Sequence, residues 1–264
     1  MNITFLNYLD LEPDLETRVD QRVVELGIDP DAYAAIKAFM HLLKIKDRAT
    51  YDHSLRVGLL ASRLGEFMHL DPKPMCYGGL LHDIGKAQTR RATLQKTDGW
   101  TAEDAAELKN HVGDGHRLLR DHFDFTAEVI AWHHWFQPNR YPDQIPESLH
   151  DYSEGTRVMI PLFGRLLSLC DVFDALHRVN SRCEGKPYSG EQIREIFLTH
   201  NPDQRQLILE AYKAGIFTTW IASGDGLSGQ VVLNHRGVPR GPVQQGHLEG
   251  PTTFCRGLRR GVVP

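Results

Sequence analysis

The chain has 264 residues, 41% hydrophobic and 24% charged, enough to bury one sizeable core. A formal net charge of −4 gives no electrostatic basis for stable DNA binding. Cys76, Cys170, Cys183 and Cys255 show no CxxC spacing, which excludes a zinc knuckle or disulfide framework, and no run of about 18 apolar residues offers a membrane span.

The expected elements are helices. Leu15, Val19, Val23 and Leu26 form an amphipathic stripe that ends at Gly27. Asp29-Pro30 opens a second helix running to about Lys46. A third carries His53 with Leu55, Leu59, Leu60, Leu64 and Phe67. Asp71-Pro72 opens a fourth, which runs into Leu80-Leu81-His82-Asp83 and stops near Gly85. Thr101 and Asp104 make a capping box for a helix leading toward His111. Thr126 is expected to cap a short helix ending in His133-His134. Ile160 to Leu176 reads as a buried apolar helix. Ser189 and Gln192 make a second capping box, and Asn201-Pro202 starts the last helix.

Strand patterns are confined to Asn2–Leu6 and Gln230–Leu233, so the expected fold class is all-α. From Ala222 onward, nine glycines and four prolines in 43 residues predict a flexible, mildly basic tail over 222–264. Residues 1–48 are expected to pack as helices on a main domain spanning 49–221. The N-terminus has no basic cluster ahead of an apolar run, so no signal peptide is expected, and cysteine usage fits a reducing cytoplasm.

Seven metal-capable side chains are spread along about half the chain: His53, His82, Asp83, His111, His133, His134 and Asp171. Imidazoles and carboxylates together suit divalent first-row metals. Seven donors are too many for one ion and fit two that share a carboxylate. Asp83 is the natural bridge, since a carboxylate can give one oxygen to each ion. Such a pair generates a hydroxide nucleophile at neutral pH and predicts hydrolysis, most naturally at phosphorus. Lys86 follows Asp83 by three residues and His82 by four, which suits a phosphate contact. Asp171 and Asp174 share a face of an apolar helix, where an acid is costly unless paired or coordinated. Asp174 is expected behind the ligands, holding a histidine or the lysine. His41, His69, His116, His122, His150, His177, His200, His235 and His247 are read as structural or surface residues. On the residues alone, a helical scaffold with incidental histidines remains open.

These words in order resemble the HD superfamily of metal-dependent phosphohydrolases, nearest to its HD-GYP branch. They are His53-Ser54-Leu55-Arg56-Val57, His82 through Lys86, and His111 with Gly115. His133-His134 follow, then Ile160-Pro161 leading to Asp171-Val172-Phe173-Asp174-Ala175-Leu176, and Lys186-Pro187-Tyr188. The branch signature loop is altered. Trp135 stands in place of its glutamate and Arg140 in place of the glycine before Tyr141-Pro142.

The resemblance implies an all-α bundle with one metal on His53, His82, Asp83 and Asp171. The second would be held by Asp83, His111, His133 and His134. Ala49 stands where some members have a glutamate for a third metal, so two ions are expected, drawn from Fe, Mn, Co or Ni. Lys86 and Lys186 would contact phosphate, with Arg140 and Tyr141 on the substrate side. The implied activity is a phosphodiesterase acting on a nucleotide phosphodiester such as a cyclic dinucleotide through a bridging hydroxide. The alternatives are a nucleotide monophosphatase or triphosphohydrolase, or a noncatalytic nucleotide sensor. The expected partner is a small nucleotide, with no membrane; oligomerisation is left open.

Overall fold

The computed structural model describes residues 15–148, 150–177 and 188–218. Among them there are helices and turns but no strand. The two strand candidates, the tail and Lys186 lie outside the described residues. The helices are α1 (Leu15–Glu25), α2 (Pro30–Lys46), α3 (Arg48–Phe67) and α4 (Pro72–Leu81). A 3₁₀ turn over Ile84–Ala87 leads to α5 (Arg91–Leu94), α6 (Ala102–Lys109), α7 (His111–Leu119) and α8 (Asp124–Ile130). Then come α9 (Glu154–His177), α10 (Gly190–His200) and α11 (Arg205–Lys213), the last preceded by a 3₁₀ turn over Pro202–Gln204. No described helix is long and apolar enough to cross a membrane.

Local chemistry sets most of these starts. The Asp29 carboxylate accepts from the backbone N–H groups of Asp31 and Ala32 at 2.9 and 3.0 Å, satisfying donors left over at a helix start. Asp47 does the same for Thr50, and Asp71 for Lys73. Both expected capping boxes form, Thr101 with Asp104 and Ser189 with Gln192.

Three expectations are corrected. Thr126 caps nothing: α8 begins two residues before it, at Asp124, and Thr126 is buried within the helix. Asp124 instead accepts from the backbone N–H of Asp121, holding the entry turn. Asn201-Pro202 opens a 3₁₀ turn that leads into α11, but the Asn201 side chain does not cap it; its amide turns back and donates to the Phe197 carbonyl at 2.8 Å, closing the end of α10. The apolar helix starts at Glu154, six residues before Ile160, with the Ser153 hydroxyl accepting from the Thr156 backbone N–H at 3.2 Å, and it carries Pro161 inside it, where the ring leaves one intrahelical hydrogen bond unmade.

The core runs through α3, α4 and α9. Leu55, Val57, Leu60 and Leu64 meet Leu80, Leu81, Leu166, Leu167, Leu169 and Phe173 in one buried cluster. Each such side chain contributes about 1.5–3 kcal/mol when fully buried. Leu15, Val19, Val23, Ile36, Met40 and Leu43 of the first two helices belong to the same cluster. Arg22 ties α1 to α3 through Ser62 at 3.0 Å and Glu66 at 2.7 Å.

Two glycines fix the approach of the elements that carry the site. A Cβ on Gly79 would lie 2.6 Å from the Gly58 Cα, so α3 and α4 touch backbone to backbone. A Cβ on Gly85 would lie 1.9 Å from the His111 carbonyl oxygen, so the turn after α4 abuts the start of α7. Any larger residue would push these pairs apart.

Candidate metal centre

The α3–α4 contact sets His53 beside His82. His53 lies five residues before Gly58, and His82 three after Gly79, where α4 ends. The chain then turns, so Asp83 (φ −97°, ψ 8°) leaves the helical direction and its carboxylate joins the same cluster as His82. The Gly85 contact brings in His111 from the first residue of α7. His133 and His134 follow the end of α8 on three-residue turns rather than on the helix itself. Asp171 arrives from α9. His53, His82, Asp83, His111 and His133 are each at most 1% exposed, with Asp171 and His134 at the rim.

The seven side chains therefore converge. Two groups of potential ligand atoms form, each within 4.8 Å of one another: His53, His82 and Asp83, and His111, His133 and His134. Asp83 faces both. Its Oδ2 lies 3.4 Å from His82 Nε2 and 3.7 Å from His53 Nε2, while its Oδ1 lies 3.4 Å from His111 Nε2. Asp171 also spans the two, with Oδ1 3.1 Å from His53 Nε2 and Oδ2 3.9 Å from His134 Nδ1.

The ring tautomers follow from their partners. His82 Nδ1 meets the Gly79 carbonyl at 2.9 Å, His111 Nδ1 meets that of Leu108 at 2.6 Å, and His133 Nδ1 meets that of Ile130 at 2.5 Å. His53 Nδ1 meets Asp174 Oδ2 at 2.6 Å. Carbonyl and carboxylate oxygens only accept, so each Nδ1 donates and each Nε2 is left with a lone pair. Yet His53 Nε2 and His82 Nε2 are 3.2 Å apart, and His111 Nε2 and His133 Nε2 are 3.4 Å apart. Lone pairs facing each other repel, and a cation between them removes that repulsion. Asp83 Oδ1 and His134 Nδ1 are also buried without a hydrogen-bond partner. Six or seven N and O donors with two orphaned atoms fit divalent cations.

Charge states agree with a ligand set. Burial pushes the pKa of His82 down to about 4 and that of His111 down to about 3, and lowers His133 and His134 as well. These rings are neutral donors at pH 7. Burial opposes ionisation of Asp83, but the Lys86 ammonium and the surrounding imidazoles outweigh it and hold the carboxyl well below its usual range. For Asp171, burial opposes ionisation, but the neighbouring His53 and His134 imidazoles outweigh it and hold the carboxyl well below its usual range.

The supporting residues lie around this cluster. Asp174 takes His53 and the guanidinium of Arg56, at 2.6 and 2.7 Å, but not Lys86. Lys86 donates to Asp83 Oδ2 at 2.6 Å. Tyr141 stacks on His134, with centroids 4.3 Å apart and planes at 26°, and sets its ring edgewise to His111. Arg140 is exposed and lies over Trp135 at 4.8 Å. Arg56, Gln137 and Lys109 were absent from the sequence-based set. Gln137 Nε2 lies 3.5 Å from Asp171 Oδ2. Arg56 could have been found from its place three residues after His53, a position on the same helix face. Of the other histidines, His177 donates to the Phe173 carbonyl and His150 pairs with Asp124, while His235 and His247 lie outside the described residues.

An all-α chain whose helices bring a histidine–aspartate pair among further histidines has the features of one known family. Residues 50–176 match the model of the HD domain. It is 29% identical over 182 residues to the 3′3′-cGAMP-specific phosphodiesterase 2 of Vibrio cholerae, covering 64% of this chain and 32% of that protein. It is 30% identical over 147 residues to a cyclic di-GMP phosphodiesterase of Pseudomonas aeruginosa, covering 51% and 32%. A cyclic di-GMP phosphodiesterase of Thermotoga maritima is 29% identical over 164 residues, covering 59% and 41%. The chain thus spans about a third to two fifths of the length of these curated relatives.

Proposed function

We propose that this chain is a metal-dependent phosphodiesterase that cleaves a cyclic dinucleotide at a two-metal centre. His53, His82, Asp83 and Asp171 hold one divalent ion, and Asp83, His111, His133 and His134 the other. The ions are Fe, Mn, Co or Ni, and the setting is the cytoplasm. The observation that carries this reading is Asp83, which turns one oxygen toward each histidine group. The substrates of the related phosphodiesterases support the choice of a cyclic dinucleotide.

Ions bound there supply an acidified water and offset charge on the phosphoryl oxygens. The chain's own residues do the rest. The backbone carbonyls of Gly79, Leu108 and Ile130 fix three imidazoles in the tautomer that offers Nε2. Asp174 does so for His53, and Arg56 in turn fixes Asp174. Tyr141 holds the His134 ring in place by stacking. Lys86, three residues past Asp83, releases its carboxylate when that oxygen is needed and takes a phosphoryl oxygen instead.

The test is activity of anaerobically purified protein loaded separately with each metal. The panel sets cyclic di-GMP and 3′3′-cGAMP against nucleoside mono- and triphosphates. Hydrolysis of a cyclic dinucleotide that disappears in Asp83→Ala is the expected result. Preferential turnover of mono- or triphosphates, or metal-loaded protein that binds without turnover, would overturn it.

A further inference from the structure

We propose that Lys109 is a second phosphate-contacting ammonium of this site, holding the phosphate of a dinucleotide that does not lie over the histidine–aspartate cluster. This rests on the phosphodiesterase reading above and deepens it.

Lys109 is the last residue of α6, two before His111, and its own helix leaves it without an acid. The positions three and four residues away on either side are Ala105, Ala106, Val112 and Gly113. The nearby carboxylates are already engaged: Asp104 with Lys96, Glu107 with Arg90 and Thr93, and Asp114 with Arg117. Among the described residues Lys109 has no carboxylate partner. Its half-buried side chain instead carries the ammonium over the Tyr141 ring, 5.7 Å from the centroid. Tyr141 is stacked directly on His134. A lysine lacking an acid is thus held one aromatic ring away from the His111, His133 and His134 group.

A cation–π contact at a partly exposed site is worth only about 0.5–1 kcal/mol, so an anion can draw the ammonium away from it. Lys86 is anchored on Asp83, at the centre of the cluster. Lys109 stands outside it, beyond Tyr141. The two ammoniums therefore flank the site at different depths, and a ligand with two phosphates can meet both, whereas a simple diester meets only the inner one. Arg140 is the other cation on this loop. It rests on Trp135, whose ring contacts run to Trp132 and not to any imidazole of the cluster.

The test compares Lys109→Ala and Lys109→Arg with the unaltered, metal-loaded full chain on two substrates, cyclic di-GMP and bis(p-nitrophenyl) phosphate. Losing a charge-assisted hydrogen bond raises KM for cyclic di-GMP about tenfold or more in Lys109→Ala, with a smaller change in kcat. The loss in kcat/KM is several-fold greater for cyclic di-GMP than for the simple diester, and Lys109→Arg restores most of it. Equal losses on both substrates, an unchanged KM, or no rescue by arginine would overturn the proposal. Calorimetric binding of cyclic di-GMP separates the two readings. If the unaltered protein binds it without turnover, the phosphodiesterase reading falls, and the Kd of Lys109→Ala alone decides the role of Lys109. If it neither binds nor hydrolyses cyclic di-GMP or 3′3′-cGAMP, both fall.

Discussion

Asp174 Oδ2 sits 2.6 Å from His53 Nδ1, joining the last turns of α9 to the first turns of α3 beneath the cluster. Arg56 closes on the same carboxylate at 2.7 Å, and all three side chains are buried. Asp174 bonds the Nδ1 side of His53 directly, so its effect on a bound ion passes through that ring. Asp174→Asn should weaken metal affinity about 10–100-fold, the usual cost of losing the partner behind a ligand histidine. Asp174→Ala should also destabilise the fold by about 3–5 kcal/mol, because Arg56 is left buried without its acid. Chelator competition and urea melts read the two effects separately. Unchanged affinity in both variants would remove Asp174 from the ligand support.

Asp83→Ala should do more than halve metal content. Asp83 turns one oxygen to His82 and the other to His111, each at 3.4 Å, a closer span of the two histidine groups than that of Asp171. Its loss should leave neither ion tightly held. Mass-spectrometric metal analysis after gel filtration checks this. Full occupancy in the variant would end the shared-carboxylate reading.

Gly85→Ala should be unusually costly for a single methyl group. The added carbon would fall within 1.9 Å of a backbone carbonyl, which cannot swing away as a side chain can. Overpacking costs about 1–3 kcal/mol where neighbours can adjust, and this contact should reach or exceed that range. The same shift separates Asp83 from His111, so metal content should fall along with stability. A variant of native stability and full metal content would show that the turn and α7 adjust independently.

The clamp between α5 and α6 predicts a pH response remote from the centre. Hydrogen bonds from Arg90, then from Thr93, pull Glu107 from its ordinary 4.5 down to about 2. Lys96, then the Thr101 backbone, pulls Asp104 from 3.8 to about 2. A depressed carboxyl stabilises the fold above its unfolded pKa and loses that contribution as pH falls toward the folded one. Stability should therefore decline between about pH 4.5 and 2. Glu107→Gln should flatten the upper part of that decline. An unchanged slope in acid-titrated melts would mean that the clamp carries no linkage.

Local signals were readable in the sequence. Asp29, Asp71, Thr101 and Ser189 act within three residues of themselves, so their roles need no tertiary context. Thr126 failed because Asp124, two residues earlier, offers a competing start, and the choice was made by the turn at Asp121. The convergence of His53, His82, Asp83, His111, His133, His134 and Asp171 was legible because metal-capable residues are rare on apolar helices. Arg56 was missed because an arginine in a helix normally marks the solvent face; only the fold shows it turned inward on Asp174. Lys109 and the Tyr141 stack were unreadable for another reason. They arise from α6 and a loop that meet only in three dimensions, without periodicity or spacing to announce them.

His53 and Asp174 are 121 residues apart along the chain. A contact of that span forms only after α3, α4 and α9 have already come together, since closing so long a loop must be offset by the packing around it. A spectroscopically visible ion such as Co²⁺ would therefore report on completed assembly: its ligand-field bands should appear last during refolding, after helical signal has recovered.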